Sequence, residues 1–208
     1  MKNILCFGDS NTYGYNPVTK GRFPDNIRWT GRLKCKVEKY NYSVIEEGLV
    51  GRTTVFEDSV RTGRKGSDFL IPLLESHFPV DTVILMLGTN DCKSIYNTTP
   101  HIIGKGIELL IKQIKDYNKD INILLISPIH LGEQVWKEEF DPEFCRQSVE
   151  VSKNLKWEYY RIARKYGCDF LAASDIVSPS KADQEHLDER GHRLLAGEIS
   201  KRFERKVS

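Results

Sequence analysis

Five short segments rich in β-branched and other apolar residues recur along the chain and predict β-strands. They lie at residues 3–7, 43–46, 82–87, 121–126 and 169–173. The third and fourth segments are almost continuously apolar, which is typical of strands covered on both faces of a parallel sheet. The first and last are less uniformly apolar, so we expect them at or near a sheet edge.

Helical patterns separate these segments. Apolar side chains recur at intervals of three and four residues, which places them along one face of a helix. We interpret all of these stripes as core-facing. They consist of Trp29, Leu33, Val37 and Tyr40; Phe69, Leu70, Leu73, Leu74 and Phe78; Ile103, Ile107, Leu110, Ile111, Ile114 and Tyr117; Leu155, Tyr159, Ile162, Ala163 and Tyr166; and Leu194, Leu195, Ile199 and Phe203.

This alternation of strand and helix predicts an α/β fold, in which helices cover both faces of a five-stranded parallel sheet. The chain has no linker, repeat or low-complexity tract, so we expect residues 1–208 to form a single domain. Two connections, residues 8–27 and 127–148, are unusually long. Each follows the carboxyl end of a strand, where open α/β sheets bind ligands, and this edge is therefore where we expect function.

Composition narrows the range of functions. The chain has 208 residues, of which 39% are hydrophobic and 29% charged, and this balance indicates a folded protein. The formal net charge is +2, so we expect no nucleic-acid partner. No apolar run approaches the length of a membrane span, and the N-terminal run is too short for a signal-peptide core. We expect no membrane partner.

The five cysteines are odd in number and widely scattered. No two of them have the close spacing of a zinc site or a redox motif. This pattern argues against a disulfide framework and predicts reduced thiols in a cytoplasmic protein.

Three residues that follow different strands have catalytic potential. Ser10 comes directly after the first strand, where an exposed hydroxyl near backbone N–H groups suits a nucleophile, although a serine there can also cap a helix. Asn90 follows the third strand and offers an amide donor of the kind that an oxyanion hole needs, or it belongs to an ordinary turn. In residues 48–51, after the second strand, a glycine can offer a backbone N–H with no side chain in the way, or the segment is an ordinary turn.

The best candidate for a general base is His186. Asp183 lies three residues before it, a spacing that lets the carboxylate accept from the imidazole Nδ1–H and fix its tautomer. The same segment can also be a solvated loop before the last helix, with Asp188 as the helix cap. His130, after the fourth strand, is the second candidate, whereas His192 is expected inside the last helix.

Taken together, these segments resemble the SGNH-hydrolase superfamily, also called the GDSL esterases. Its four sequence blocks match Ser10, Gly51, Asn90 and His186 in order, and the match covers nearly the whole chain. Longer stretches are similar to the arylesterase and acyltransferase branch, namely residues 28–31, 46–49, 52–54 and 86–91.

The chain departs from the family pattern at two positions. Asn11 stands where the signature has leucine, and this change is common in related branches. Glu47 stands where many members have an asparagine, and we expect it to alter the support of the oxyanion hole.

The resemblance implies a three-layer α/β/α, flavodoxin-like fold and a serine esterase that acts through an acyl-enzyme. Ser10 would be the nucleophile, His186 its base, and Asp183 the residue that orients the imidazole. The N–H groups of Ser10 and Gly51, with the Asn90 side chain, would form the oxyanion hole. The resemblance implies neither a metal nor an organic cofactor.

We expect the substrate to be an ester with a short acyl chain, because a small single domain without a lid domain or a large apolar insertion has little to hold a long one. Acyl transfer to an alcohol is expected as a further activity. A carbohydrate O-acetyl esterase of the same mechanism is the first alternative. A non-catalytic flavodoxin-like binding module is an alternative of another class. Asp9 in the first loop disfavours that module, because a carboxylate there would repel a phosphate.

Candidate substrate contacts lie near the first loop. We assign Asp9, Tyr13 and Trp29 to this role, although aromatic residues here can equally belong to the core or to a subunit contact. Tyr15, Trp136 and Phe140 are further candidates of the same kind.

Loop 127–148 also suggests an assembly. It carries Trp136, Phe140 and Phe144, which is more aromatic surface than a solvated loop needs. Because the arylesterase-like branch tends to assemble, we expect a homo-oligomer.

Overall fold

The computed structural model describes residues 1–204. Its strands form one parallel sheet in the order β2-β1-β3-β4-β5. The strands are β1 (Lys2–Gly8), β2 (Tyr42–Gly48), β3 (Thr82–Met86), β4 (Asn122–Ser127) and β5 (Asp169–Ala172). All five predicted strands are confirmed, and β1 is second from an edge. From β1 the chain adds β2 on one side of the sheet and then β3, β4 and β5 on the other, so the direction in which strands are added reverses between β1 and β3. Open α/β sheets bind ligands at such a switch point.

Helices connect the strands and cover the sheet on both faces. They are α1 (Ser10–Tyr13), α2 (Trp29–Val37), α3 (Gly66–Ser76), α4 (Pro100–Tyr117), α5 (Arg146–Tyr166) and α6 (Glu189–Glu204). The helices α2 and α6 pack together on one face, and α3, α4 and α5 pack on the other. The predicted α/β fold with a helical layer on each side of the sheet is therefore confirmed. None of the helices described within residues 1–204 has the length and apolar character needed to span a lipid bilayer.

The core consists of two apolar clusters, one on each face of the sheet. Successive side chains of β1 alternate between them: Leu5 and Phe7 join the cluster under α3, α4 and α5, and Ile4 and Cys6 join the other. All four side chains are fully buried. The strand that leads into the site is therefore packed on both faces, which holds its carboxyl end in place.

The apolar stripe of α3 is shorter than its sequence pattern predicts. Leu70 and Leu74 are fully buried, but Phe69 is 40% exposed and Phe78 is 72% exposed. The helix ends at Ser76, and Phe78 precedes a proline, which disfavours helical backbone at that position.

The connection between β4 and α5 buries much of its aromatic surface within the chain. Phe144 is buried, and Trp136 packs against the core with the Arg146 guanidinium over its ring. The indole Nε1 of Trp136 donates to the Glu133 carbonyl at 3.0 Å. The exposed aromatic surface that supports the expectation of a homo-oligomer is therefore smaller than the sequence indicates.

Candidate active site

The carboxyl ends of β1, β2 and β3 bring three of the candidate residues to one cleft. Ser10 is the first residue of α1, directly after β1. Gly51 lies in the turn after β2, and Asn90 begins a 3₁₀ turn after β3. All three line the same cleft as His186. The structure therefore brings together the residues that match the four family blocks.

His186 joins Ser10 to Asp183 through hydrogen bonds. Its Nε2 atom lies 2.8 Å from Ser10 Oγ, and its Nδ1 atom lies 2.7 Å from Asp183 Oδ2. The backbone N–H of His186 also donates to Asp183 Oδ1 at 3.0 Å, which fixes the carboxylate under the ring. The ring of Tyr15 packs 4.4 Å from the imidazole. A base oriented by a carboxylate next to a hydroxyl is the arrangement that activates a serine.

Charges around His186 favour its protonated form. Burial alone would lower its pKa, but the carboxylates of Glu185 and Asp183 raise the pKa of His186 to about 8. Burial also acts against the Asp183 carboxylate, yet its hydrogen bonds and the charge of His186 lower the pKa of Asp183 below its ordinary value. The site is thus built to stabilise the imidazolium that forms when a serine is deprotonated.

Glu185 is a cleft residue that sequence reasoning missed. Its side chain is buried, lines the cleft, and places Oε1 3.7 Å from His186 Nε2. Burial raises the pKa of Glu185 above its ordinary value. The position between Asp183 and His186 is visible in the sequence, but nothing in the pattern indicates that this glutamate turns inward rather than toward solvent.

The candidate oxyanion hole combines two backbone donors and one amide. The N–H of Ser10 is at the start of α1, where no intrahelical acceptor exists. Gly51 has a φ of +82°, a conformation that favours glycine. Asn90 uses one amide N–H to donate to the Arg52 carbonyl at 3.1 Å, which orients the side chain and leaves the other N–H for a ligand.

Arg52 joins the ends of β1 and β2 behind these donors. Its guanidinium donates to the carbonyls of Gly8 and Glu47 and lies 4.3 Å from the centre of the Phe7 ring. Burial lowers the pKa of Arg52 to about 10. Through the Arg52 carbonyl, this buried residue also fixes the Asn90 amide.

Both departures from the family pattern have a structural role. Asn11 links the serine turn to the histidine loop: its Oδ1 accepts from Leu187 N at 2.9 Å, and its amide donates to the Glu185 carbonyl at 3.4 Å. The carboxylate of Glu47 turns to His77, with Oε1 and Nε2 2.8 Å apart. Glu47 therefore supports the oxyanion donors through its backbone carbonyl, which accepts a hydrogen bond from Arg52, and not through its side chain.

The cleft has a volume of about 290 Å³, and most of the residues that line it are polar or charged. Its charged lining residues outside the Ser10–His186–Asp183 group are Lys20, Arg61, Lys93, Glu139, Asp141 and Glu185. Its less polar lining residues are Tyr15, Pro17, Val50, Phe140 and Ala182. Such a wall suits a substrate that carries hydrogen-bonding groups beside its ester.

None of the three residues assigned as substrate contacts, Asp9, Tyr13 and Trp29, lines this cleft. Trp29 is fully buried, and its Nε1 donates to the Asn11 carbonyl at 3.0 Å. Tyr13 packs against the Arg22 guanidinium, 4.5 Å from the ring centre. Asp9 is buried and caps α1, where its Oδ1 accepts from Asn11 N at 3.0 Å.

Of the further aromatic candidates, Tyr15 and Phe140 line the cleft and Trp136 does not.

The other two histidines considered from the sequence lie outside the cleft. His130 is not part of its lining, and His186 is the residue in contact with Ser10. His192 lies in α6 as predicted, and its Nδ1 accepts from the backbone N–H of Trp29 at 3.2 Å. Asp188 caps α6, accepting from Gly191 N at 2.7 Å. Within residues 1–204, no cluster of His, Cys, Asp and Glu side chains is arranged to hold a metal ion.

Comparison with known proteins agrees with this geometry. The model of the GDSL-like lipase/acylhydrolase family matches residues 6–194, and the chain belongs to this family. No match is found among curated proteins. The chain is similar to Est24, a carbohydrate acetylesterase from Sinorhizobium meliloti, with 33% identity over 97% of this chain and 98% of that one and a TM-score of 0.88.

The chain is also similar to the M. smegmatis aryl esterase, with 30% identity over the whole of both chains and a TM-score of 0.89. A third solved structure is 36% identical over 99% of this chain and 98% of its own, with a TM-score of 0.93. The protein is thus an ester-hydrolysing serine hydrolase with an SGNH fold.

Proposed function

We propose that this protein hydrolyses short-chain carboxylic esters through an acyl-enzyme on Ser10, and that an alcohol can replace water as the final acceptor. The observation that carries the proposal is the hydrogen-bonded chain from Ser10 through His186 to Asp183, which opens into a cleft. His186 contacts both of the other residues, so the arrangement supplies a nucleophile, a base and the carboxylate that orients the base.

The reaction follows from these contacts in two halves. His186 Nε2 takes the proton of Ser10 as Oγ attacks the ester carbonyl, and the N–H groups of Ser10, Gly51 and Asn90 hold the oxyanion. The protonated imidazole then gives its proton to the departing alcohol, which leaves an acyl-enzyme. Water, or a second alcohol, loses a proton to His186, attacks the acyl carbon and releases Ser10.

The size and lining of the cleft support a short acyl chain. The less polar side chains on its wall are few, and charged side chains lie among them. A long alkyl chain would have to contact these charges or extend into water, and neither gains the free energy of apolar burial. Acetyl to butyryl groups avoid this problem.

The second candidate is a carbohydrate O-acetyl esterase with the same chemistry. The polar lining of the cleft favours it, because sugar hydroxyls need hydrogen-bond partners when they leave water. The S. meliloti relative is described as a carbohydrate acetylesterase, which is consistent with this candidate.

A fluorophosphonate probe and an ester panel test the proposal. The probe should label the protein once, at Ser10, and the Ser10→Ala variant should lose both labelling and turnover. Across p-nitrophenyl esters from acetate to laurate, kcat/KM should be highest for the short chains. Labelling elsewhere, or faster turnover of laurate than of butyrate, would overturn the proposal.

A further inference from the structure

We propose that the Glu185 carboxylate binds a hydroxyl group next to the ester oxygen of the leaving alcohol. The enzyme would then select esters of vicinal diols, such as acetylated sugars or glycerol, over esters of simple alcohols. This inference rests on the function proposed above, because it assumes that His186 returns a proton to the departing alcohol.

Glu185 is a buried carboxylate that lies at ion-pair distance from His186 but accepts no hydrogen bond from it. Its side chain is only 8% exposed, and within residues 1–204 no protein donor lies at hydrogen-bond distance from its oxygens. The nearby Lys93 ammonium is paired with Glu143 instead. Because a buried charge without a hydrogen bond is destabilising, a donor supplied by the substrate would be bound favourably.

The distance to His186 defines which substrate hydroxyl can reach this carboxylate. The ester oxygen that accepts the proton must lie at hydrogen-bond distance from Nε2, and Glu185 Oε1 lies 3.7 Å from the same atom. The two oxygens of a vicinal diol are about one hydrogen-bond length apart. A hydroxyl on the neighbouring carbon can therefore contact Glu185 while the ester oxygen contacts His186.

The backbone holds Glu185 in register with the reacting groups. Its N–H donates to Asp183 Oδ1 at 3.1 Å, and its carbonyl accepts from the Asn11 amide at 3.4 Å. Asn11 follows Ser10 directly, so the nucleophile, the base and the Glu185 backbone share one hydrogen-bonded framework. A contact made from a backbone held in this way acts on the orientation of the substrate as well as on its affinity.

Both signs of charge line the cleft around Glu185. Lys20, Arg61 and Lys93 lie there together with the carboxylates of Glu139, Asp141 and Asp183. Because these opposite charges offset one another, the choice between a neutral hydroxyl and a cationic leaving group such as choline is made by the acetylcholine measurement described below.

Two matched esters test the inference, since they differ only in that a methyl group replaces the hydroxyl hydrogen. The alcohol of 2-hydroxyethyl acetate can donate to Glu185, and that of 2-methoxyethyl acetate cannot. We expect the wild-type protein to prefer the hydroxy ester about tenfold or more in kcat/KM, which is the range for one hydrogen bond to a charged group. The rates are compared at a pH above the pKa of His186, so that changes in the base affect both esters equally.

Variants of Glu185 should remove this preference. In Glu185→Leu the ratio of the two rates should fall close to one, and in Glu185→Gln, which keeps an acceptor oxygen but no charge, it should take an intermediate value. Glu138→Gln removes an exposed carboxylate from the loop beside the cleft and should keep the wild-type ratio. If the leucine variant does not fold, the glutamine variant carries the comparison.

The outcomes separate this inference from the proposed function. A wild-type ratio near one, or an unchanged ratio in both Glu185 variants, would overturn the diol inference while leaving ester hydrolysis intact. A selective loss of acetylcholine turnover in these variants would also overturn it and indicate a cation site. Absence of turnover on every ester in the wild-type protein would instead overturn the proposed function.

Discussion

Glu185 places its Oε1 atom 3.7 Å from the Nε2 atom of His186, the same nitrogen that contacts Ser10. The imidazole therefore lies between two carboxylates, because Asp183 binds its Nδ1 side. Asp183 orients the ring through a direct hydrogen bond, whereas Glu185 acts on it through charge. This second carboxylate has a measurable consequence for the pH dependence of the reaction.

We expect kcat/KM to rise with pH as His186 loses its proton, with a midpoint near 8. The base must be neutral to accept the serine proton, and the surrounding carboxylates raise the pKa of His186 to about 8. The sequence alone predicts an ordinary histidine midpoint of about 6.5–7, so the structure moves this expectation upward. A pH profile of kcat/KM for an ester of a simple alcohol measures the midpoint.

The variant Glu185→Gln should move this midpoint to lower pH. Removing the negative charge takes away a stabilising influence on the imidazolium, and burial of the ring, which lowers its pKa, then weighs more heavily. Glu138→Gln serves as the control for the loss of an exposed carboxylate that does not line the cleft, and it should keep the wild-type midpoint. An unchanged midpoint in Glu185→Gln would show that Glu185 does not act on the base.

Replacing Asn90 with alanine should slow catalysis without unfolding the site. The variant loses one donor to the oxyanion while the backbone donors of Ser10 and Gly51 stay in place. We expect kcat to fall by about 10²–10³, or roughly 3 kcal/mol, with little change in KM, because the donor acts mainly on charge that develops in the transition state. Steady-state kinetics provide the measurement, and slow fluorophosphonate labelling of Ser10 should persist. A rate within threefold of wild type would remove Asn90 from the oxyanion hole.

At Gly51, a side chain should disturb the oxyanion hole in two ways. The φ of +82° is strained for any residue with a Cβ, and an added Cβ would lie 3.0 Å from the Arg61 guanidinium carbon. We expect Gly51→Ala to lower kcat more than it raises KM, since the displaced N–H serves the transition state. The double variant with Arg61→Ala relieves only the contact. If it restores full activity, steric contact rather than backbone conformation is responsible.

His192 should make the protein sensitive to acid. Burial, followed by the nearby positive charges, lowers the pKa of His192 to about 3, while the unfolded chain has an ordinary value near 6.5. The unfolded state therefore binds more protons between these values, and stability should fall as pH drops from about 6.5 toward 3. His192→Gln should flatten this dependence in urea unfolding measured at several pH values. An equally steep dependence in the variant would assign the acid sensitivity to other groups.

The sequence is informative wherever a local pattern determines the structure. The apolar runs identified all five strands, and the strand order then brings Ser10 after β1 and Asn90 after β3 to one edge. Asp183 and His186 were paired from their spacing alone, because three residues in a turn suffice to bring a carboxylate under an imidazole. These features depend on neighbours in the chain.

Sequence patterns do not predict which way a side chain points within a loop. Tyr13 and Tyr15 are two residues apart, yet only Tyr15 turns toward the cleft, because Tyr13 ends α1 and packs against Arg22. Glu185 turns inward although glutamate is usually exposed. Both directions accompany tertiary contacts, of Tyr13 with Arg22 and of the Glu185 backbone with Asn11, which the periodicity of a sequence does not contain.

Trp29 provides the clearest test of this distinction between core and cleft. Its indole is fully buried and donates to the Asn11 carbonyl, so Trp29→Phe should leave that carbonyl without its donor and create a small void. We expect the free energy of unfolding to fall by about 1–3 kcal/mol, while the relative kcat/KM values across the ester panel stay as in wild type. Phe140→Ala is the matched contrast, because Phe140 lines the cleft and should change ester preference with a smaller loss of stability. Chemical denaturation and the ester panel measure the two effects in the same variants. If Trp29→Phe changed ester preference at unchanged stability, Trp29 would be a substrate contact after all, as the sequence alone suggested.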